Sequence, residues 1–272
     1  MKWLFLILGF WFIPPSLSAE TISLQPAPGM SRAELHYEKL VKNPKAVLVL
    51  CPGINGSAAR RIQSEAWRKW AVENQVDLVG LSFASPLEAI TDGSGYYYAS
   101  QGSGAKLLEG IQQIYGRTPP LLLYGFSGGA HFVSRFTEWK PERVLSWCAY
   151  SADWWDVPKV SRFLPPGIVA CGQWDSRLGA SLLYFKQGRA IGKPWLWIEV
   201  KKAAHQESSQ LDDFVRAYFS AMLEHNRQSS PAWVDIDTKE ITSEPLAQSQ
   251  PTLTARFPHV SLYPQWKRVH SP

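Results

Sequence analysis

Cysteine is scarce in this 272-residue chain, with only Cys51, Cys148 and Cys171. An odd count without CxxC or Cys/His spacing excludes a dense disulfide framework and offers no recognisable metal-ligand set. Each cysteine lies in or at the end of an apolar, strand-like run, so buried free thiols are the expectation. A Cys148–Cys171 bridge is the other reading in an oxidising compartment. Charge is also sparse: charged residues make up 19% of the chain and the formal net charge is +5. The basic residues are scattered apart from pairs such as Arg60-Arg61 and Lys201-Lys202. Without a basic stripe interleaved with aromatics, nucleic acid is not an expected partner. Long apolar runs are missing too. The one notable run, Trp3–Ile13, is too short to span a bilayer.

That run follows Lys2 and leads into Pro14-Pro15 and the small residues Ser16–Ala19. This is the layout of a secretory signal peptide over residues 1–19, cut next to Ser18 or Ala19. The expectation is a secreted or periplasmic protein with no stable membrane insertion after cleavage. An uncleaved interfacial anchor is the other reading. No cysteine stands at the junction to carry a bacterial lipid anchor.

Hydrophobic residues make up 45% of the sequence, and 13 are Trp. This composition suits a globular chain with a sizeable core. Two half-buried opening strands are read near Ile22–Gln25 and Ala33–Glu38. Continuous apolar runs follow at Ala46–Leu50, Val76–Phe83, Leu121–Tyr124, Val144–Tyr150, Gly167–Cys171 and Trp195–Val200. Such runs mark strands covered on both faces. Between them, Ser64–Asn74, Lys106–Tyr115 and Ser209–His225 carry apolar residues at helical spacing. The fold class read from this alternation is α/β, a mostly parallel central sheet covered by helices on both faces. One domain over residues 20–227 is expected. The Pro-, Ser-, Thr- and Gln-rich extension 228–272 either packs on it or is partly disordered.

The strand Leu121–Tyr124 runs directly into Gly125-Phe126-Ser127-Gly128-Gly129, and helix-like residues follow from Ala130. A bare G-x-S-x-G arises by chance in roughly one chain of this length in ten, so its setting decides its weight. Here it has the strand–turn–helix setting that the nucleophile turn requires. Residues two before and two after the serine must be small, so that strand and helix can approach. The helix start behind Ser127 also offers N–H groups to a developing oxyanion.

A serine hydroxyl needs a base, and the base needs an orienting acid. In a sheet with such a turn, the acid is expected after a late strand and the histidine after the last. Gly172-Gln173-Trp174-Asp175 follows one late strand, and Lys201-Lys202-Ala203-Ala204-His205 follows the next. Ser127, Asp175 and His205 are therefore the expected catalytic residues. Asp153, after the previous strand, is the rival acid, with Asp156 beside it. His131 sits too close to Ser127 in sequence to face its hydroxyl and reads as structural. His36, His225, His259 and His270 have no supporting context. The loop Cys51-Pro52-Gly53-Ile54-Asn55-Gly56 supplies the expected second oxyanion donor, Ile54 N–H, to pair with Gly128 N–H. Asn55 is expected to add a side-chain donor. An ordinary Pro-Gly turn is the other reading of this loop.

On Gly125-Phe126-Ser127-Gly128-Gly129, Asp175, His205 and the Pro52-Gly53-Ile54 loop, the chain from about Lys45 to His225 resembles an α/β-hydrolase. It is similar to dienelactone hydrolase and to polyhydroxybutyrate depolymerase/feruloyl esterase-like serine hydrolases. Many such relatives carry His-Gly where this chain has Pro52-Gly53. The resemblance implies hydrolysis of an ester, thioester or lactone through an acyl-enzyme, with neither cofactor nor metal.

No long insertion separates the Val144–Tyr150 and Gly167–Cys171 strands, so no large cap domain is expected. The segment Ala84–Gly104 is rich in Gly, Ser and Tyr and reads as a wall of the site. Tyr97, Trp154 and Trp174 are the expected substrate contacts, and the substrate is a small-molecule or polymeric ester. Two other classes fit the same residues. One is a secreted serine peptidase of prolyl-oligopeptidase type. The other is a non-catalytic glycan- or cell-wall-binding protein on a hydrolase scaffold.

Overall fold

The computed structural model describes residues 19–224 and 231–270. Residues 1–18 of the expected signal segment, and 225–230 with His225, lie outside the described residues. Each of the six apolar runs forms a strand buried over nearly its whole length. They are β3 (Ala46–Cys51), β4 (Val76–Ala84), β5 (Leu121–Phe126), β6 (Val144–Tyr150), β7 (Gly167–Gly172) and β8 (Trp195–Val200). The first two strands, β1 (Glu20–Ser23) and β2 (Arg32–Glu38), are shorter of apolar residues. In β2 burial alternates along much of the strand, as one covered face dictates.

The eight strands form one sheet in the order β1-β2-β4-β3-β5-β6-β7-β8. From β4 to β8 all neighbours are parallel, whereas β2 runs antiparallel to both β1 and β4. The order reverses at β3, which pairs with both β4 and β5. Crevices beyond the carboxyl ends of strands, where strand order reverses, are where open α/β sheets bind ligands.

Helices α1 (Ala59–Ile62), α2 (Glu65–Asn74), α3 (Leu87–Thr91), α4 (Ser103–Tyr115), α5 (Gly128–Trp139), α6 (Leu178–Ala190) and α7 (Ser209–Leu223) flank the sheet. Two of them, α2 and α7, pack together, with Trp70 Nε1 donating to Arg216 O at 2.9 Å. Another pair, α4 and α5, meet where Gly104 leaves room for the Trp139 ring. The helix α6 has no counterpart among the three helices read from sequence. Its Gly179 and Gly188 blur the apolar stripe, and Gly188 is there because the Trp195 ring occupies the space of a side chain. The 151–166 connection between β6 and β7 contains neither helix nor strand. Cys51, Cys148 and Cys171 are all buried free thiols. Among the described residues no helix is long and apolar enough to cross a membrane.

The last stretch folds back as β9 (Ala232–Asp235), β10 (Ile241–Thr242), α8 (Glu244–Ser249), β11 (Thr254–Phe257) and α9 (Tyr263–Val269). The three strands make a small antiparallel sheet in the order β10-β9-β11. This unit covers the outer edge of β8, the last strand of the main sheet. Trp266 Nε1 donates to Trp197 O at 2.8 Å, Glu199 N–H donates to His270 Nδ1 at 3.1 Å, and Lys201 N–H donates to Val269 O at 3.0 Å. Backbone groups that would otherwise be unpaired on an edge are satisfied in this way.

Burial, aided by the nearby Lys239 charge, pushes the His270 pKa from 6.5 to about 3. The unfolded chain therefore takes up a proton near pH 6.5, whereas the folded chain refuses it until much lower pH. Stability is full above the unfolded value and is lost as pH falls between the two. At pH 5 this linkage costs about 2 kcal/mol. The thermal midpoint of wild type should drop between pH 7 and pH 5, and His270→Asn should show a clearly smaller drop. Equal drops in the two proteins would show that His270 is not responsible.

Candidate active site

Ser127 stands between β5 and α5 with φ +52° and ψ −116°, a conformation that L-residues rarely adopt. Such backbone costs on the order of 1–3 kcal/mol and persists only where its surroundings enforce it. Here Ser127 N–H donates to Tyr150 O of β6 at 2.8 Å, fixing the turn to the neighbouring strand. The flanking glycines are required by contact. A Cβ on Gly125 would stand 2.2 Å from Gly129 O, and one on Gly129 would stand 2.1 Å from Cys51 O. Strand, helix and the β3 exit thus meet with backbone against backbone.

His205 lies on the loop between β8 and α7. Its Nε2 is 3.0 Å from Ser127 Oγ, and its Nδ1 is 2.8 Å from Asp175 Oδ2. Burial opposes the charge on Asp175. Hydrogen bonds from His205, the Arg177 backbone N–H, Ser151 and the Arg177 guanidinium outweigh it and hold the carboxyl below its usual range. An ionised carboxylate only accepts, so the imidazole proton sits on Nδ1 and the Nε2 lone pair faces the serine hydroxyl. The Phe126 ring lies 5.0 Å from the His205 ring and packs beside it. The acid loop and the histidine loop are tied together: Trp174 N–H donates to Ala203 O at 2.8 Å, and Lys202 N–H to Gln173 Oε1 at 3.0 Å.

Asp153, the rival acid, faces elsewhere. Its Oδ1 is 3.2 Å from His131 Nε2, and its Oδ2 is 3.5 Å from Arg177 Nε. Arg177 Nη1 is also 3.2 Å from Asp175 Oδ1, so one guanidinium joins the two acids. His131 is buried and stacks on Tyr97 at 4.8 Å. Burial lowers its pKa despite Asp153, which keeps the ring neutral at neutral pH. Asp156 is bound by Arg135 at 2.8 Å. His36 and His259 bond to serines and His270 belongs to the cover of β8.

The loop Pro52–Gly56 comes down over the helix start. A Cβ on Gly128 would stand 2.7 Å from the hydroxyls of both Tyr96 and Tyr97 and 2.8 Å from Ile54 N. Ile54 and Gly128 are therefore brought together. Asn55 is placed differently from the sequence expectation of a ligand-facing donor. Its Nδ2 donates to Ser85 O and its Oδ1 accepts from Ser85 N–H, both at 3.0 Å, so the amide is consumed in holding two loops together. The loop is held further by Arg32 Nη2, which donates to Asn55 O at 2.7 Å and Gly56 O at 3.0 Å. Tyr97 is buried, whereas Trp154 and Trp174 are 49% and 66% exposed beside the two acids.

Sequence reasoning missed Arg177 and Ser151. Ser151 follows β6 with φ +61°, is fully buried, donates its hydroxyl to Cys171 Sγ at 3.7 Å, and helps lower the Asp175 pKa. A serine or an arginine beside an acid carries no pattern that separates it from surface residues. Among the described residues, no group of three or more His, Cys, Asp or Glu side chains is placed to hold a metal ion.

No protein-family model and no curated protein matches the chain. Solved structures do. The serine hydrolase FphF of Staphylococcus aureus superposes with a TM-score of 0.54 at 12% identity, covering 76% of this chain and 99% of its own. S-formylglutathione hydrolase FrmB of the same organism gives 0.55 at 13%, covering 76% and 97%. A ferulic acid esterase gives 0.55 at 14%, covering 75% and 96%. The chain has the α/β-hydrolase fold, without a large cap domain among the described residues.

Gly129→Ala drives a methyl group into the Cys51 carbonyl and should cost about 3 kcal/mol, with loss of soluble protein. Gly179→Ala, whose Cβ meets nothing within 4 Å, should leave the thermal midpoint nearly unchanged. Similar behaviour of the two variants in thermal melts would contradict the packing described for the turn.

Proposed function

We propose that the protein is an exported serine hydrolase that cleaves a carboxylic ester, or a related thioester or lactone, through an acyl-enzyme. The observation that carries this reading is the run of short contacts Asp175–His205–Ser127 at the carboxyl edge of a parallel sheet. His205 Nε2 takes the proton of Ser127 as Oγ bonds to the substrate carbonyl carbon, and the carbonyl electron pair moves onto oxygen. Ile54 N–H and Gly128 N–H stabilise that oxygen. The oxyanion collapses, His205 returns the proton to the leaving group, and the acyl group stays on Ser127. Water, deprotonated by His205, then releases the acid. Asp175 stays ionised throughout and stabilises the imidazolium.

Neighbours described as an S-formylglutathione hydrolase and a ferulic acid esterase support ester and thioester chemistry for the fold. The helix-free 151–166 connection, with Trp154 and Trp174 exposed, favours an open cleft and a bulky or polymeric ester. The signal-like residues 1–19 support export to a secreted or periplasmic location.

A fluorophosphonate probe should label the mature protein and fail to label Ser127→Ala. Asp175→Asn should lower kcat by about 10⁴-fold, because the imidazole loses its tautomer and orientation. Asp153→Asn should stay within tenfold of wild type, and the reverse ranking in steady-state assays would move the acid to Asp153. In an ester panel, aryl or polymeric esters should be turned over faster than short-chain p-nitrophenyl esters, and the opposite order would rule out the substrate assignment.

A further inference from the structure

Three hydrogen-bond donors converge on the space above Gly128, and among the described residues none is bonded to a protein acceptor there. They are Ile54 N–H, Gly128 N–H and the Tyr97 hydroxyl. The point where a Gly128 side chain would begin lies within 2.8 Å of Ile54 N and of Tyr97 Oη. The absent side chain is what allows this approach, since any Cβ would collide with all of these groups.

The tyrosine pair sets the direction of the Tyr97 proton. Tyr96 Oη accepts from Asn55 N–H at 3.2 Å and lies against the Tyr97 hydroxyl, so the arrangement that satisfies both phenols has Tyr96 donating to Tyr97 Oη. Tyr97 therefore accepts on one side and has its proton left for another acceptor. On the Gly128 side Ile54 N–H is a donor and cannot take it, and Tyr96 Oη already accepts from Asn55 N–H. Stacking on His131 and edge contact with Tyr96 fix the ring, so the hydroxyl is aimed before any ligand arrives. Backbone N–H groups beside a buried phenol hydroxyl suit an oxygen that carries negative charge only transiently.

We propose that Tyr97 is a third oxyanion donor, a catalytic residue whose O–H joins Ile54 N–H and Gly128 N–H on the tetrahedral intermediate. This rests on the serine hydrolase reading above. In the step itself, Ser127 Oγ bonds to the carbonyl carbon, the Ser127 proton goes to His205, and the carbonyl electron pair settles on the oxygen that the three donors hold. Tyr97 keeps its proton throughout. Burial raises its pKa to about 12, which keeps the phenol protonated at working pH. The neighbouring Tyr96 is a positioning residue, acting on the oxyanion loop through Asn55 and on the Tyr97 proton.

The test compares wild type with Tyr97→Phe, which keeps the ring and its stacking. Rates of fluorophosphonate labelling and of ester turnover are both expressed per labelled site, so that unfolded material does not count. A transition-state donor predicts that kcat and the labelling rate fall together by 10- to 100-fold, with KM changed less than threefold. Labelling and kcat within twofold of wild type overturn the proposal. So does a rise in KM with kcat kept, which marks a ground-state contact. If wild type itself is neither labelled nor active, the hydrolase reading fails. If wild type is active and Tyr97→Phe matches it, only the third donor is lost.

Discussion

Everything in the candidate active site depends on the approach of three stretches of backbone at the end of β5. The carbonyl of Cys51 touches the position where a Gly129 side chain would stand, and the Gly129 carbonyl does the same to Gly125. Only because those contacts are made by glycine can α5 start directly under the Pro52–Gly56 loop. The strained Ser127 backbone then becomes the favourable outcome of packing, since relaxing it would pull the helix off the sheet and break the bond to Tyr150. The Ser127 hydroxyl is held toward His205 because its backbone has no alternative.

From that fixed point a polar chain runs around the site. Ser127, His205, Asp175, Arg177, Asp153 and His131 follow one another at hydrogen-bond or ion-pair distance, and His131 closes on Tyr97 by stacking. Arg177 is the link between the two carboxylates. It balances part of their charge, so the two acids can lie near each other without either taking up a proton in the neutral range. The difference between the acids is geometric. The loop of Asp175 is sewn to the loop of His205, whereas Asp153 is turned toward α5.

The six buried strands and the order Ser127, Asp175, His205 were legible because both rest on short-range rules. A strand covered on both faces is continuously apolar, and a nucleophile turn needs small residues at fixed offsets. What was not legible depends on contacts between distant residues. The place of α6 is decided by Gly188 beneath Trp195, which breaks the helical pattern for a tertiary reason. Asn55 reads as a free donor until Ser85 is seen to occupy both ends of its amide. Tyr96 and Tyr97 read as two aromatics in a Gly-rich loop, and their hydroxyls gain meaning only above Gly128. The isolated apolar residues after Pro231 made no periodic pattern because each fills a separate slot, as Trp266 does against Trp197 and Phe257 does against Trp266.

The cover over β8 has a consequence beyond positioning. A parallel sheet of this kind ends in a strand whose unused N–H and C=O groups could pair with the same strand of another molecule. Here an indole, an imidazole and a carbonyl from the final helix and its end occupy those groups, and the pairing goes no further than a single bridge between Val200 and His270. Residues 231–270 therefore act as a terminator of strand addition at the β8 edge, where the sheet could otherwise grow by edge-to-edge stacking.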